Sequence, residues 1–136
     1  MNPETGLSGK RVLIVDDDPS VIKGLQESLK TEKCTVDVAV DGLEAFEKIA
    51  TDEYDLIISD VMMPGLNGQK LYKYMSEVKP HLIHRCILIT GAMNDELEAF
   101  CRSVKLPFLN KPFSAIDLKI QIGTLLLKEG KKAPSV

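Results

Sequence analysis

Four apolar runs in this chain each end in a side chain suited to handling charge. Asp16-Asp17-Asp18 follow the run Arg11–Val15, and Asp60 follows Leu56-Ile57-Ile58. Thr90 closes Cys86-Ile87-Leu88-Ile89, and Lys111 lies just past Phe108-Leu109. If these ends converge, Asp16, Asp17 and Asp60 repel one another unless a cation offsets them. A hard divalent ion does so, and carboxylates with water are what Mg²⁺ takes. A carboxylate held there becomes a nucleophile able to form an aspartyl phosphate. Lys111 supplies a point positive charge for phosphate oxygens and Thr90 a hydroxyl donor. The backbone after Asp60, kept open by Pro64, Gly65 and Gly68, supplies further ligands and donors. Catalysis in such a pocket rests on positioning and charge. Taken singly, an aspartate at a strand end is more often a helix cap or a solvated turn. The joint occurrence at four successive strand ends is what points to chemistry.

Those residues need elements to hold them. Arg11–Val15, residues 35–40, 56–58, 86–89 and 108–109 read as strands. In the second, Val36, Val38 and Val40 alternate with Asp37 and Ala39. The uninterrupted runs 56–58 and 86–89 suit strands covered on both faces. Helical patterns fill the gaps. Asp18-Pro19 reads as an N-cap with proline at the first helical position, ahead of a Val21, Ile22, Leu25, Leu29 stripe. Asp41 caps a second helix with Ala45, Phe46, Ile49 and Ala50 inward. A third runs from about Gly68 to Val78 on Leu71, Met75 and Val78. A fourth follows Asn94 and carries Leu97, Phe100, Cys101 and Val104. A fifth starts at Ser114, which with Asp117 resembles a capping box. Five alternating β-α units imply a parallel sheet with helices on both faces. In such sheets the site lies beyond the carboxyl ends of the strands.

The chain has 136 residues, of which 44% are apolar, and that fits one domain over residues 10–128. Residues 1–9 read as a flexible lead, and 129–136 as a tail or the start of a linker. No apolar run is long enough to span a membrane, and Met1 to Gly9 lacks a signal-peptide stretch, so the expected location is the cytoplasm. A net charge of -3 with no dense basic patch disfavours direct nucleic-acid binding. Cys34, Cys86 and Cys101 are odd in number and scattered, so they read as reduced core or near-core thiols. His81 and His84 are three apart but have no further ligand nearby in the sequence, and read as loop or helix-end residues.

The sequence resembles the receiver domain of response regulators in two-component signalling. The resemblance rests on Val12-Leu13-Ile14-Val15-Asp16-Asp17-Asp18-Pro19, on the stretch from Asp55 through Ser59-Asp60-Val61-Met62-Met63-Pro64-Gly65 to Gly68, on Ile87-Leu88-Ile89-Thr90-Gly91, and on Asn110-Lys111-Pro112-Phe113. It covers about residues 10–128. It implies a doubly wound α/β fold of the (βα)5 flavodoxin-like kind, with a five-stranded parallel sheet in the order 2-1-3-4-5. It implies that Asp16 and Asp17 hold Mg²⁺, and that Asp60 is both phosphoacceptor and metal ligand. The Met62 backbone carbonyl then completes the metal site. Thr90 is the switch hydroxyl, Lys111 the phosphate-binding lysine, and Phe108 the aromatic coupled to the switch. The Lys111–Pro112 bond is cis in the family. The implied activity is that of a phosphoacceptor, not an enzyme proper, which assists its own phosphorylation and dephosphorylation. Its partner is a histidine kinase or a histidine phosphotransfer protein. The chain departs from the family at Ser103-Val104-Lys105-Leu106-Pro107, where a Gly-Ala pair is usual. Pro107 suits an edge strand there.

In the fifth helix, at 100° per residue, Leu118, Ile122, Leu125 and Leu126 form a stripe for the sheet. Ile116, Ile120 and Leu127 form another on nearly the opposite side, readable as scattered surface apolars or as a contact face for a homodimer or kinase. A Mg²⁺-dependent phosphatase with an Asp nucleophile needs a second acid two residues on, where Met62 stands. A flavin carrier needs a Ser/Thr/Gly-rich loop after strand one, the opposite in charge to Asp16-Asp17-Asp18. A receiver that binds partners without phosphorylation stays as an alternative. So does the C-terminal receiver of a hybrid sensor kinase, set against a free-standing regulator.

Overall fold

The structure is a computed structural model that describes residues 3–63 and 65–130, with side chains through residue 127. The apolar runs form β1 (Arg11–Val15), β2 (Thr35–Ala39), β3 (Leu56–Asp60), β6 (Cys86–Thr90) and β7 (Phe108–Asn110), with a two-stranded ribbon of β4 (Met62–Met63) and β5 (Leu66–Asn67) after β3. The helices are α1 (Pro19–Leu29), α2 (Gly42–Thr51), α3 (Gly68–Val78), α4 (Asp95–Val104) and α5 (Ala115–Gly130). Short 3-10 turns at Lys30–Glu32 and Pro80–His84 follow α1 and α3, and His81 and His84 lie on the second.

The main sheet has the order β2-β1-β3-β6-β7, all parallel, which is the expected 2-1-3-4-5 once β4 and β5 are set aside. Strand residues alternate between two cores because side chains alternate across a strand. Leu13, Val15, Ala39, Ile57, Cys86 and Leu88 pack with Ala45, Ile49, Leu71, Met75 and Cys101 of α2, α3 and α4. Val12, Ile14, Leu56, Ile58, Ile87 and Ile89 pack with Leu25, Leu29, Leu118 and Ile122 of α1 and α5. The chain winds outward from β1 in both directions, so the β1–β3 border is the switch point where open α/β sheets place their sites.

The helix starts follow the sequence. Side-chain oxygens of Asp18, Asp41, Asn67 and Asn94 accept from Ser20, Glu44, Lys70 and Leu97 amides, and Ser114 Oγ accepts from the Asp117 amide. At α2 the Glu44 side chain also reaches back past the cap, its Oε1 accepting from the Val40 amide at 2.8 Å.

Several inward assignments are corrected. Ala50 and Val78 are exposed: the buried residues of α2 end at Ile49 and those of α3 at Met75. Val40 lies beyond β2 and is exposed, whereas Ala39 is buried, because β2 is covered on both faces. The lead expected to be flexible is packed from Thr5 to Gly9: Thr5 and Leu7 are buried, and the Gly9 amide donates to the Lys33 carbonyl at 3.0 Å. Pro64 and the tail 131–136 lie outside the described residues. Cys86 and Cys101 are buried and Cys34 half-buried, all as free thiols. Burial pushes the Cys86 thiol up to about 12. Among the described residues no helix is long and apolar enough to cross a membrane.

Candidate functional site

The central strands β1 and β3 run in register to their ends, Val15 beside Ser59. Asp16 follows at once and is fully buried, with its Oδ1 accepting from the Asp18 amide at 2.9 Å. Asp17 is exposed. Asp60 ends β3, is 8% exposed, and accepts from the Met62 amide at 3.2 Å. One carboxylate oxygen from each of Asp16, Asp17 and Asp60 lies within 4.8 Å of the others. Asp18 stays outside this group, because its carboxylate caps α1 and takes the Ser20 hydroxyl as well.

Lys111 reaches the cluster from the loop after β7. Its Nζ is 3.2 Å from Asp16 Oδ2 and 3.4 Å from Asp60 Oδ2. The Lys111 amide donates to the Thr90 carbonyl at 2.7 Å, which ties this loop to the end of β6, and the Lys111–Pro112 peptide is cis. Burial is the largest influence on Asp16 and raises its pKa; the Asp60 charge adds to this, and the Asp18 amide and Lys111 offset only part. Burial works to lower the Lys111 pKa, but the charges of Asp60 and Asp16 outweigh it and the net shift is upward, so the lysine stays protonated. Three carboxylates against one ammonium leave the cluster short of positive charge. Its donors are all hard oxygens, so the residues fit a hard divalent cation.

Thr90 ends β6 and is 1% exposed, and its Oγ1 accepts from the Ala92 amide at 3.0 Å. It stands at the neighbouring strand end without a hydrogen bond to the carboxylates among the described contacts. Phe108 is not part of the cluster. It begins β7, opposite Leu88, while Thr90 pairs with Asn110. Thr90, Leu88, Phe108 and Asn110 therefore share one face of the sheet. Phe108 is half-buried and lines a groove with Cys101, Leu106 and Leu125.

Met62 points its side chain outward, 65% exposed, which leaves its backbone beside the site. The β4–β5 ribbon turns through Gly65 at φ +77°, a conformation that favours glycine. The Gly65 carbonyl rests on the start of α2: a β-carbon at Gly42 would lie 2.7 Å from it. Sequence reasoning missed this support. Gly42 reads only as the first residue of a capped helix, and two-residue strands carry no periodicity to detect.

On α5, Leu118 and Ile122 are buried while Ile116 and Ile120 are 54% and 51% exposed. Leu127, expected on the same face as those isoleucines, is half-buried because Gly6 packs against it.

The family model for the response regulator receiver domain matches residues 12–122. The transcriptional regulatory protein PrrA of Mycobacterium leprae is 30% identical over 132 residues, covering 97% of this chain and 56% of that protein. The alkaline phosphatase synthesis transcriptional regulatory protein PhoP of Bacillus subtilis is 32% identical over 129 residues, covering 93% and 52%. The chain thus spans about half the length of the curated relatives it matches. Among solved structures, a CheY-like response regulator receiver domain protein from Methanospirillum hungatei superposes with a TM-score of 0.83 at 27% identity, over 93% of this chain and all of that one. The beryllofluoride-activated NtrC4 receiver domain dimer superposes with a TM-score of 0.78 at 29% identity, over 87% and 97%. Every residue of the carboxylate–lysine cluster falls inside the matched span, and the chain belongs to the response regulator receiver domain family.

Proposed function

We propose that the chain takes a phosphoryl group onto Asp60 from a histidine kinase or a histidine phosphotransfer protein, and changes conformation in response. The observation that carries this is the cluster itself: three aspartate oxygens within 4.8 Å of one another, with the Lys111 ammonium 3.2 and 3.4 Å from two of them. Asp16, Asp17, Asp60 and the Met62 backbone carbonyl are the groups to hold Mg²⁺, which when bound neutralises charge on the oxygens of the incoming group.

The remaining steps belong to the chain's own side chains. An Asp60 carboxylate oxygen bonds to phosphorus as the donor's P–N bond breaks, and that electron pair returns to the imidazole. Lys111 exchanges a contact with the carboxylates for one with a phosphate oxygen. The Thr90 hydroxyl, now an acceptor for Ala92, turns to donate to the phosphate. Phe108, on the same face two residues along the neighbouring strand, follows it. The same groups later position water for self-dephosphorylation. Only the free-energy difference between the two conformations sets how far phosphorylation shifts the population.

A homodimer through Ile116 and Ile120 of α5 is part of this reading, supported by their exposure and by the NtrC4 receiver described as a dimer. The net charge of -3 supports a domain that acts through proteins rather than by touching nucleic acid itself. The similar relatives are response regulators, which supports that context over a hybrid kinase, and action in the cytoplasm follows from it. The test is incubation with Mg²⁺ and acetyl phosphate, followed by intact mass. One added phosphoryl group, absent in Asp60→Asn and without Mg²⁺, is the expected result. No gain in a folded, Mg²⁺-binding protein overturns the proposal and leaves a binding module that works without phosphorylation.

A further inference from the structure

Residues 4–9 lie ahead of the span that the family model matches, and Gly123, Leu126 and Leu127 of α5, on which they pack, lie just beyond it. Three features fix this segment. The Thr5 hydroxyl donates to Glu32 Oε1 at 2.6 Å and accepts from the Leu7 amide at 3.2 Å. The other Glu32 oxygen takes the Lys119 ammonium of α5 at 3.1 Å. Thr5, Leu7 and Lys119 are all buried, so this is an interior polar lock rather than a surface ion pair. Lastly, the Glu4 carbonyl lies directly on Gly123: a β-carbon there would overlap it. Gly6, at φ +80°, then packs on Leu126 and Leu127.

Gly123 and Leu127 have a second relation. With Ile116 and Ile120 they follow a 4-3-4 spacing along α5. That is the repeat by which one helix pairs with another, here with no charged side chain in the seam and its smallest residue near the middle. The segment covers the Gly123–Leu127 half and leaves the Ile116–Ile120 half exposed.

We propose that residues 4–9 are a latch seated on Gly123, and that while seated they keep half of this seam from a second copy of the chain. The inference rests on the α5 pairing surface given above. A released latch opens a four-position seam that matches itself across a two-fold axis.

Two variants of the full chain test it. Gly123→Ala unseats the latch from the α5 side without harming the helix. Thr5→Val breaks the Glu32 contact from the latch side and leaves α5 untouched. Hydrogen exchange at the Gly9 amide, which donates to the Lys33 carbonyl, reads the latch, and sedimentation velocity reads association. The expected result is exchange faster by at least about tenfold in both variants, dimer at concentrations where the wild type is monomer, and return to monomer when Ile120→Asp is added. Wild-type exchange in Gly123→Ala overturns the seat. Fast exchange without association, or a wild type that dimerises with the latch closed, overturns the gating. Association that survives Ile120→Asp overturns the pairing surface and the gating with it, while the seating stands.

Discussion

Asp16 and Asp60 are buried carboxylates that share one lysine, and that shortage of positive charge is the centre of the account. That shortage fits a hard divalent cation and, on the proposed reading, a phosphoryl group whose oxygens Lys111 can hold. On the proposed reading, Thr90 is the residue that couples the site to the rest of the domain. Its hydroxyl is committed to the Ala92 amide before phosphorylation, so Thr90→Ala loses one neutral hydrogen bond, about 1 kcal/mol of stability. Thr90→Ala is expected to phosphorylate like the wild type while the chemical-shift changes across residues 91–116 shrink. A wild-type response in those shifts contradicts the coupling role. These residues were legible in the sequence because each stands at the end of an apolar run, where type and place together are informative. Lys119 and Glu32 were not: a lysine and a glutamate 87 positions apart carry no pattern that says they meet inside the protein.

At the scale of elements, the stretch from α4 to β7 shows how the chain manages without the family's usual glycine. Lys105 takes the left-handed conformation, φ +59°, at the end of α4, and the Leu106 amide closes the helix by donating to the Cys101 carbonyl at 2.9 Å. Pro107 then has no amide to give, but its carbonyl accepts from Leu88 at 3.0 Å, which suits the edge strand β7. A left-handed lysine costs about 1–2 kcal/mol and glycine's greater unfolded freedom about 0.5–1 kcal/mol. Lys105→Gly is therefore expected to stabilise the protein by about 0.5–1 kcal/mol, read as a higher urea midpoint at unchanged slope. A lower midpoint contradicts this account of the helix end. Strands and helices of ordinary length were readable from their periods. The β4–β5 ribbon was not, since two residues show no period, and Ala50 and Val78 misled because burial stops at Ile49 on α2 and at Met75 on α3, short of each helix's last apolar residue.

Across the whole molecule, the ends of the sheet divide the work. The carboxyl ends hold the site, and the opposite end holds a structural network in which Asp37 accepts from the Tyr54 hydroxyl and from Arg11, each at 2.7 Å. The Tyr54 hydrogen bond, and then Arg11, hold the Asp37 carboxyl below its ordinary value. A depressed carboxyl contributes stability that is present above its unfolded value, near pH 3.9, and is lost as the pH falls through the folded one. Unfolding free energy is expected to fall on acidification below about pH 4, and less so in Asp37→Asn, when denaturation is followed across pH. An equal acid loss in the variant contradicts the assignment. The fold was legible as a whole because five β-α units allow few arrangements, whereas the packing of residues 4–9 depends on a seat more than a hundred residues away.

The central claim is that Asp60, and no other carboxylate of the cluster, takes the phosphoryl group. Borohydride reduces an acyl phosphate to an alcohol, so treating the phosphorylated protein and mapping its peptides marks the acceptor directly. The account predicts homoserine at position 60, with Asp16 and Asp17 unchanged. Homoserine at position 16 or 17, or a phosphorylated protein with no reduced aspartate at all, contradicts it.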